Sequence, residues 1–263
     1  MVMLINECLK PETEVYLTRD RDYKKSLFYK DEERELFIKD FNMAEFVGEE
    51  LCGIKKLKCA HYFVVGCGME KLKRTAKYGS IKEHYKYKIA SYDFKDKDKT
   101  YKLIKDYKNI NYHDVIGCML DNTESRKNRE ELYLDLMNLI ALDIYMGQTD
   151  RTAYNYMFEE DKDKNIRLAP LFDFEFSLNS GYLDQDYVFD SSLVFFKDFE
   201  DAKNFVRDYP EFGDILKTYL NDNLCDNATR AFNKRGLRLP EYVYPYLEKF
   251  QDERCQTIKK IIK

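Results

Sequence analysis

From Leu132 to Ile144 the chain carries Leu132, Leu134, Leu136, Met137, Leu139, Ile140, Leu142 and Ile144. Set on a helix, these residues cover nearly every side. A helix with one apolar stripe can lie on a surface, but this one has to run through the middle of a core. Asn128 is a candidate cap, Glu130 and Glu131 suit its first turn, and the segment runs to about Met146 before a stop at Gly147. The rest of the fold has to be built around it.

The segments that follow are helical: the patterns predict helices over 200–222, 225–235 and 241–261. The segments well before it are not. Residues 14–18, 25–30 and 35–41 are short apolar or aromatic runs separated by polar turns, and they read as an antiparallel meander. Met43, Phe46, Val47 and Leu51 have helical spacing up to Gly53, and 61–65 and 87–92 read as two further strands. A charged stretch, 95–108, separates the two halves. The expectation is an α+β, two-lobed chain: a small antiparallel-sheet lobe over residues 1–94 and a helical lobe over 95–263.

Charge and composition exclude several classes. There are 48 acids against 44 Lys and Arg, a net charge of −4, so no global field favours direct nucleic-acid binding. With 22 Tyr and 18 Phe the chain is too aromatic for a disordered one. No apolar run approaches the roughly 20 residues a membrane span needs. The start, Met1 to Glu7, lacks a basic region and reaches an acid early, so the expected compartment is the cytoplasm. Seven cysteines without a C-x-x-C pair read as reduced thiols, and three separated histidines, His61, His84 and His113, read as structural.

The chemistry is concentrated just after the buried helix. Gly147-Gln-Thr-Asp-Arg-Thr-Ala-Tyr-Asn155 is followed by Leu168-Ala-Pro-Leu-Phe-Asp-Phe-Glu-Phe-Ser177. Two carboxylates, Asp150 and Asp173, and the amide of Asn155 form a hard-oxygen set. Phosphoryl transfer needs such a set, one group to orient a hydroxyl and two to hold Mg²⁺ against nucleotide phosphates. The spacing D-x-x-x-x-N alone is weak, since it recurs at Asp106…Asn111 and Asp222…Asn227. Only the first copy follows a buried helix and precedes an apolar segment ending in Asp.

Gln148-Thr-Asp-Arg-Thr-Ala-Tyr-Asn155 with Leu168-Ala-Pro-Leu-Phe-Asp173 resembles the catalytic core of HipA-like kinases. That family shows an N-T-D-x-H-x-x-N loop followed by L-A-P-x-Y-D. The chain is more distantly similar to phosphatidylinositol kinases. The strong match spans residues 136–178; over 14–94 only the order of elements agrees. The resemblance implies a protein-kinase-like fold, ATP and Mg²⁺ as cofactors, and a protein serine or threonine as acceptor. It makes Asp150 the catalytic aspartate, Asn155 and Asp173 the metal ligands, and Lys39 the strand lysine that contacts phosphates. Glu45 becomes the partner of that lysine, with Glu49 and Glu50 as rivals. Ser91 and Tyr92, within Ile89–Phe94, fall where an adenine-contacting hinge is expected.

The departures matter for function. Gln148 and Thr152 stand where the family has Asn and His. Between Thr18 and Ser26 no glycine lets backbone amides approach a phosphate, leaving Arg19, Arg21, Lys24 and Lys25 to supply charge. A pseudokinase or scaffolding module with weak nucleotide binding is therefore the alternative, together with a kinase-fold enzyme acting on a lipid or small molecule. Toxin activity and operator binding do not follow from the resemblance.

Overall fold

The computed structural model describes residues 3–4, 15–16, 27–30, 35–40, 42–66, 87–103, 126–149, 151, 155–175, 177–178, 196 and 198–263. Two sheets and a set of helices enclose one continuous apolar core. The first sheet contains β1 (Met3–Leu4), β2 (Val15–Tyr16), β3 (Leu27–Lys30), β4 (Glu35–Asp40), β5 (Tyr62–Gly66) and β6 (Tyr87–Tyr92), in the order β1-β5-β6-β4-β3-β2. The meander β2-β3-β4 and the later pair β5-β6 match the sequence pattern. The sheet is not purely antiparallel, however, because β1 adds to its edge in parallel with β5.

Helix α1 (Met43–Ile54) connects β4 to β5. Asn42 caps it by accepting from the Ala44 amide at 2.8 Å, and its side-chain amide donates to the Glu175 carbonyl at 2.9 Å. The cap thus serves a helix start and a distant loop at once.

Helix α2 (Arg126–Met146) is the central element. Leu136, Met137, Leu139, Ile140, Ala141, Leu142, Ile144, Tyr145 and Met146 are all buried, whereas Leu134 near its start is exposed. Asn128 is not its cap. The helix begins two residues earlier, and the Asn128 amide pairs with Ile166, donating to its carbonyl at 2.7 Å and accepting from its N–H at 2.8 Å. That pairing docks α2 onto a second sheet absent from the sequence reading: β7 (Thr100–Leu103), β8 (Met157–Glu160) and β9 (Ile166–Leu168), all antiparallel.

Gly147 ends α2 at a φ of +58°, with the Phe250 ring 3.0 Å from where a Cβ would stand. The segment 200–222 is two helices, α3 (Phe199–Asp208) and α4 (Pro210–Tyr219), because Pro210 cannot continue α3 but starts α4 without cost. Helices α5 (Leu224–Asn233) and α6 (Tyr244–Ile261), the latter entered through a 3₁₀ turn at Glu241–Val243, complete the chain. Helix α5 packs on α1, and α6 packs on α2. No described helix is long and apolar enough to cross a membrane.

Candidate active site

Strand β4 and helix α1 are joined by a two-residue corner, which brings Lys39 and Glu45 together. Lys39 lies opposite Ile89 in the β4–β6 register. Its ammonium donates to Glu45 in a close ion pair and to Asp173 Oδ1 at 3.1 Å. Glu45 is fully buried, while Lys39 and Asp173 keep 20% and 28% of their side chains exposed. A buried carboxylate thus faces a cation that still reaches solvent. Burial pulls the Lys39 pKa down, but the charges of Glu45 and Asp173 outweigh it and hold the lysine above its ordinary value.

The acid choice follows from helix geometry. Glu45 points to Lys39, whereas Glu49 pairs with Arg235 and His61, and Glu50 with Arg230 and Lys234. One turn along α1 the side chains already face α5 and the segment after it rather than β4.

Residues 172–175 are held by side chains at every step. Arg151 Nη1 donates to the Phe172 carbonyl at 2.9 Å. The Asp173 amide donates to the Tyr62 hydroxyl at 3.2 Å, and its carbonyl accepts from Gln148 Nε2 at 2.9 Å. The Phe174 amide donates to Glu45 Oε2 at 3.0 Å, and Asn42 holds Glu175. Asp173 itself has a φ of +61°, a left-handed conformation that aspartate tolerates better than most side chains. The four successive holds explain how that conformation persists.

Arg151 is buried and makes a two-pronged pair with Asp143 of α2, Nε to Oδ2 and Nη2 to Oδ1, each 2.9 Å. Burial opposes the Arg151 charge, yet Asp143 outweighs it and the guanidinium stays ionised. The guanidinium also lies 5.2 Å from the Phe174 ring centroid. Burial raises the Tyr62 hydroxyl pKa well above its usual value, with the Glu45 charge adding to it, so Tyr62 is a neutral phenol.

Asn155 is buried, and its backbone carbonyl accepts from Arg151 at 3.4 Å. Ser91 and Tyr92 end β6; Ser91 is in register with both Phe37 and Tyr62, and Tyr92 with Leu36, its ring 5.2 Å from Phe63. Asp150 and Lys25 lie outside the described residues, as does the glycine-free segment 18–26. Among the described residues no group of three or more His, Cys, Asp and Glu forms a metal cage.

No family model matches the sequence, and no curated protein matches it. Solved structures do match. One is a proinflammatory kinase of Helicobacter pylori, CtkA: 14% identity, TM-score 0.52, covering 90% of this chain and 92% of that one. Another is HipA of a Shewanella oneidensis MR-1 toxin–antitoxin system, solved with HipB and operator DNA. There identity is 10% and the TM-score 0.52, over 93% of this chain and 62% of that one. The chain has a kinase-like fold.

At such identities the likeness speaks for the fold alone. Within that kinase-like fold, Tyr62, Gln148, Arg151 and Asp143 are the residues that sequence reasoning missed as parts of the site. Asp143 carried a signal: it is the one charged residue in the apolar run Leu139–Met146, and a carboxylate there must find a buried partner. Gln148 and Arg151 stood in the motif but were read only as positions within it.

Proposed function

We propose that the protein is an ATP- and Mg²⁺-dependent phosphotransferase that moves the γ-phosphate to a hydroxyl, most simply a serine or threonine of a protein. The observation that carries this reading is the Lys39–Glu45–Asp173 cluster. It joins a strand, a helix and a loop 134 residues apart around one partly exposed cation. Such a cation, fixed by a buried acid, suits a polyphosphate.

The donor set fits Mg²⁺. Asp173 Oδ1 takes Lys39, while Oδ2 accepts no hydrogen bond from a described residue and remains a hard oxygen on a partly exposed side chain. Asn155 would add an amide oxygen. Mg²⁺ needs only one or two protein oxygens beside phosphate and water, so the lack of a carboxylate cage among the described residues does not count against it. When bound, it would neutralise charge on the phosphate oxygens.

The chain's own residues then divide the work. Lys39 holds the phosphates, and Asp150 orients the acceptor hydroxyl and takes its proton. The hydroxyl oxygen bonds to the γ-phosphorus, and the bond to the ADP oxygen breaks. Because Ser91 is in register with strands on both sides, base contacts by backbone groups belong just beyond Tyr92, at Asp93 and Phe94. Residues 1–94 would bind nucleotide, and 95–263 would carry the catalytic loop and the metal-binding Asp173. Lys25 remains a candidate for phosphate contact.

The test is transfer of labelled γ-phosphate to a generic protein acceptor and to the chain itself. Asp173→Ala and Lys39→Met are expected to lose activity by at least about 10²-fold, with Arg238→Ala, at an exposed surface pair, as control. Full activity in Asp173→Ala would overturn the site. The glycine-free Thr18–Ser26 segment favours a second reading, a nucleotide-binding scaffold. That reading is supported if the wild type binds Mg–ATP and transfers nothing.

A further inference from the structure

Arg235 lies in the turn after α5, buried and far in sequence from the cluster around Lys39. We infer that it is a positioning residue that sets both Glu45 and Asp173. Its catalytic consequence rests on the phosphotransferase reading; its structural consequence does not.

Every part of the guanidinium is engaged. Nε donates to the Tyr62 carbonyl at 2.9 Å, Nη1 to the Ala231 carbonyl at 2.6 Å, and Nη2 to Glu49. Its Cζ lies 4.1 Å from the centroid of the Phe46 ring. Phe46 directly follows Glu45 on α1, and Glu49 is one turn further. Tyr62 holds the Asp173 amide through its hydroxyl, and Glu49 Oε2 also accepts the Tyr62 amide at 2.9 Å. One side chain therefore ties α1, β5 and the end of α5, and through α1 and β5 it reaches the two carboxylates that fix Lys39.

The neighbouring contacts point the same way. Arg230 and Lys234 grip Glu50, so two successive acids of α1 are held by three cations from α5 and its end. A 520 Å³ cavity lined by Glu49, Glu50, Ile54, Leu57, Lys234 and Arg235, among others, lies beside this clamp. Burial lowers the Arg235 pKa and Glu49 offsets part of that shift, yet an arginine remains charged at neutral pH.

A lysine keeps the charge but not the fork, so it can serve Glu49 or Tyr62 and not both. In Arg235→Lys, amide hydrogen exchange at Asp173 and Phe174 is expected to quicken by about tenfold or more relative to amides buried in α2. In the same variant kcat should fall by about 10- to 100-fold with KM for ATP changed far less, the signature of misplacement rather than lost binding. Glu49→Ala, which leaves Arg235 on Tyr62, should show the smaller change of the same sign. It also serves as the second measurement if Arg235→Lys does not fold. Unchanged exchange at Asp173 and Phe174 in the folded variants overturns the inference. A wild type that transfers no phosphate overturns the proposed function instead, and the exchange result still judges the clamp.

Discussion

Lys39 and Glu45 form a pair with unequal exposure, and removing the buried member is the more informative change. Glu45→Ala strips Lys39 of its closest partner and leaves the Phe174 amide without an acceptor. Lys39 keeps Asp173 and some solvent, so the loss stays below the roughly 3 kcal/mol of a fully stranded buried charge, and the unpaired amide adds about 1 kcal/mol. The pH dependence follows from the same pair. Folding raises the Lys39 pKa above its unfolded value of 10.5, so its contribution to stability is complete below that pH. It is lost only as pH rises through the still higher folded value. In Glu45→Ala burial remains while the largest opposing charge is gone, so the lysine deprotonates earlier. Mg–ATP affinity should therefore weaken on the alkaline side in Glu45→Ala at pH values where the wild type is flat. Superimposable profiles would show that Lys39 does not depend on Glu45. The family resemblance names Glu45 as the lysine's partner, but residue spacing alone does not separate it from Glu49 and Glu50, because all three sit within two turns. The register of β4 and the direction in which α1 leaves it decide the matter.

At the level of elements, α1 is positioned by what it lacks. A Cβ on Gly48 would stand 2.6 to 2.9 Å from the Phe174 ring, a fully buried aromatic that has Arg151 nearby. A Cβ on Gly53, in the same helix, would meet nothing within 4 Å. Alanine is better than glycine inside a helix by about 1 kcal/mol, so Gly53→Ala should stabilise by up to that amount. Gly48→Ala should instead destabilise by about 1 to 3 kcal/mol through overpacking and push Phe174, and with it Asp173, away from Lys39. Paired thermal melts decide this, and a stabilised Gly48→Ala would mean that the helix and the 172–175 segment are free to part. The elements themselves were largely readable: α1, β5, β6 and the buried α2 follow from periodicity. What stayed hidden was pairing between distant segments. β7 lies in a charged stretch with little alternation, and it is a strand because β8 is beside it. Asn128 looks like a helix cap by residue type, and only the arrival of Ile166 turns it into a sheet contact.

For the whole molecule, the question is whether the cluster closes on a ligand or only on itself. Three chain segments meet there, and each is anchored elsewhere: β4 in the large sheet, α1 on α5, and 172–175 on the loop after α2. Helix α6 supports that loop from behind, with Phe250 against Gly147 and Arg254 Nε donating to the Ile144 carbonyl at 2.8 Å. A ligand that bridges Lys39 and Asp173 therefore binds only when all of these elements are folded together, and it should stabilise the whole chain in one transition. At a concentration 100 times its Kd, Mg–ATP adds about 2.7 kcal/mol, a rise in Tm of about 5 °C or slightly more for a chain of this size. The rise should need Mg²⁺ and ATP together, and Asp173→Ala should abolish the Mg²⁺-dependent part, read against its own unliganded Tm, which starts lower because alanine takes the left-handed φ less readily and Lys39 loses a partner. A shift produced by ATP alone, equal in wild type and Asp173→Ala, would mean that the nucleotide is held by the lysine without metal. No shift under any condition, in a chain that melts in a single step, would mean that the carboxylate and the ammonium hold each other shut and that the fold has kept the cluster without its ligand.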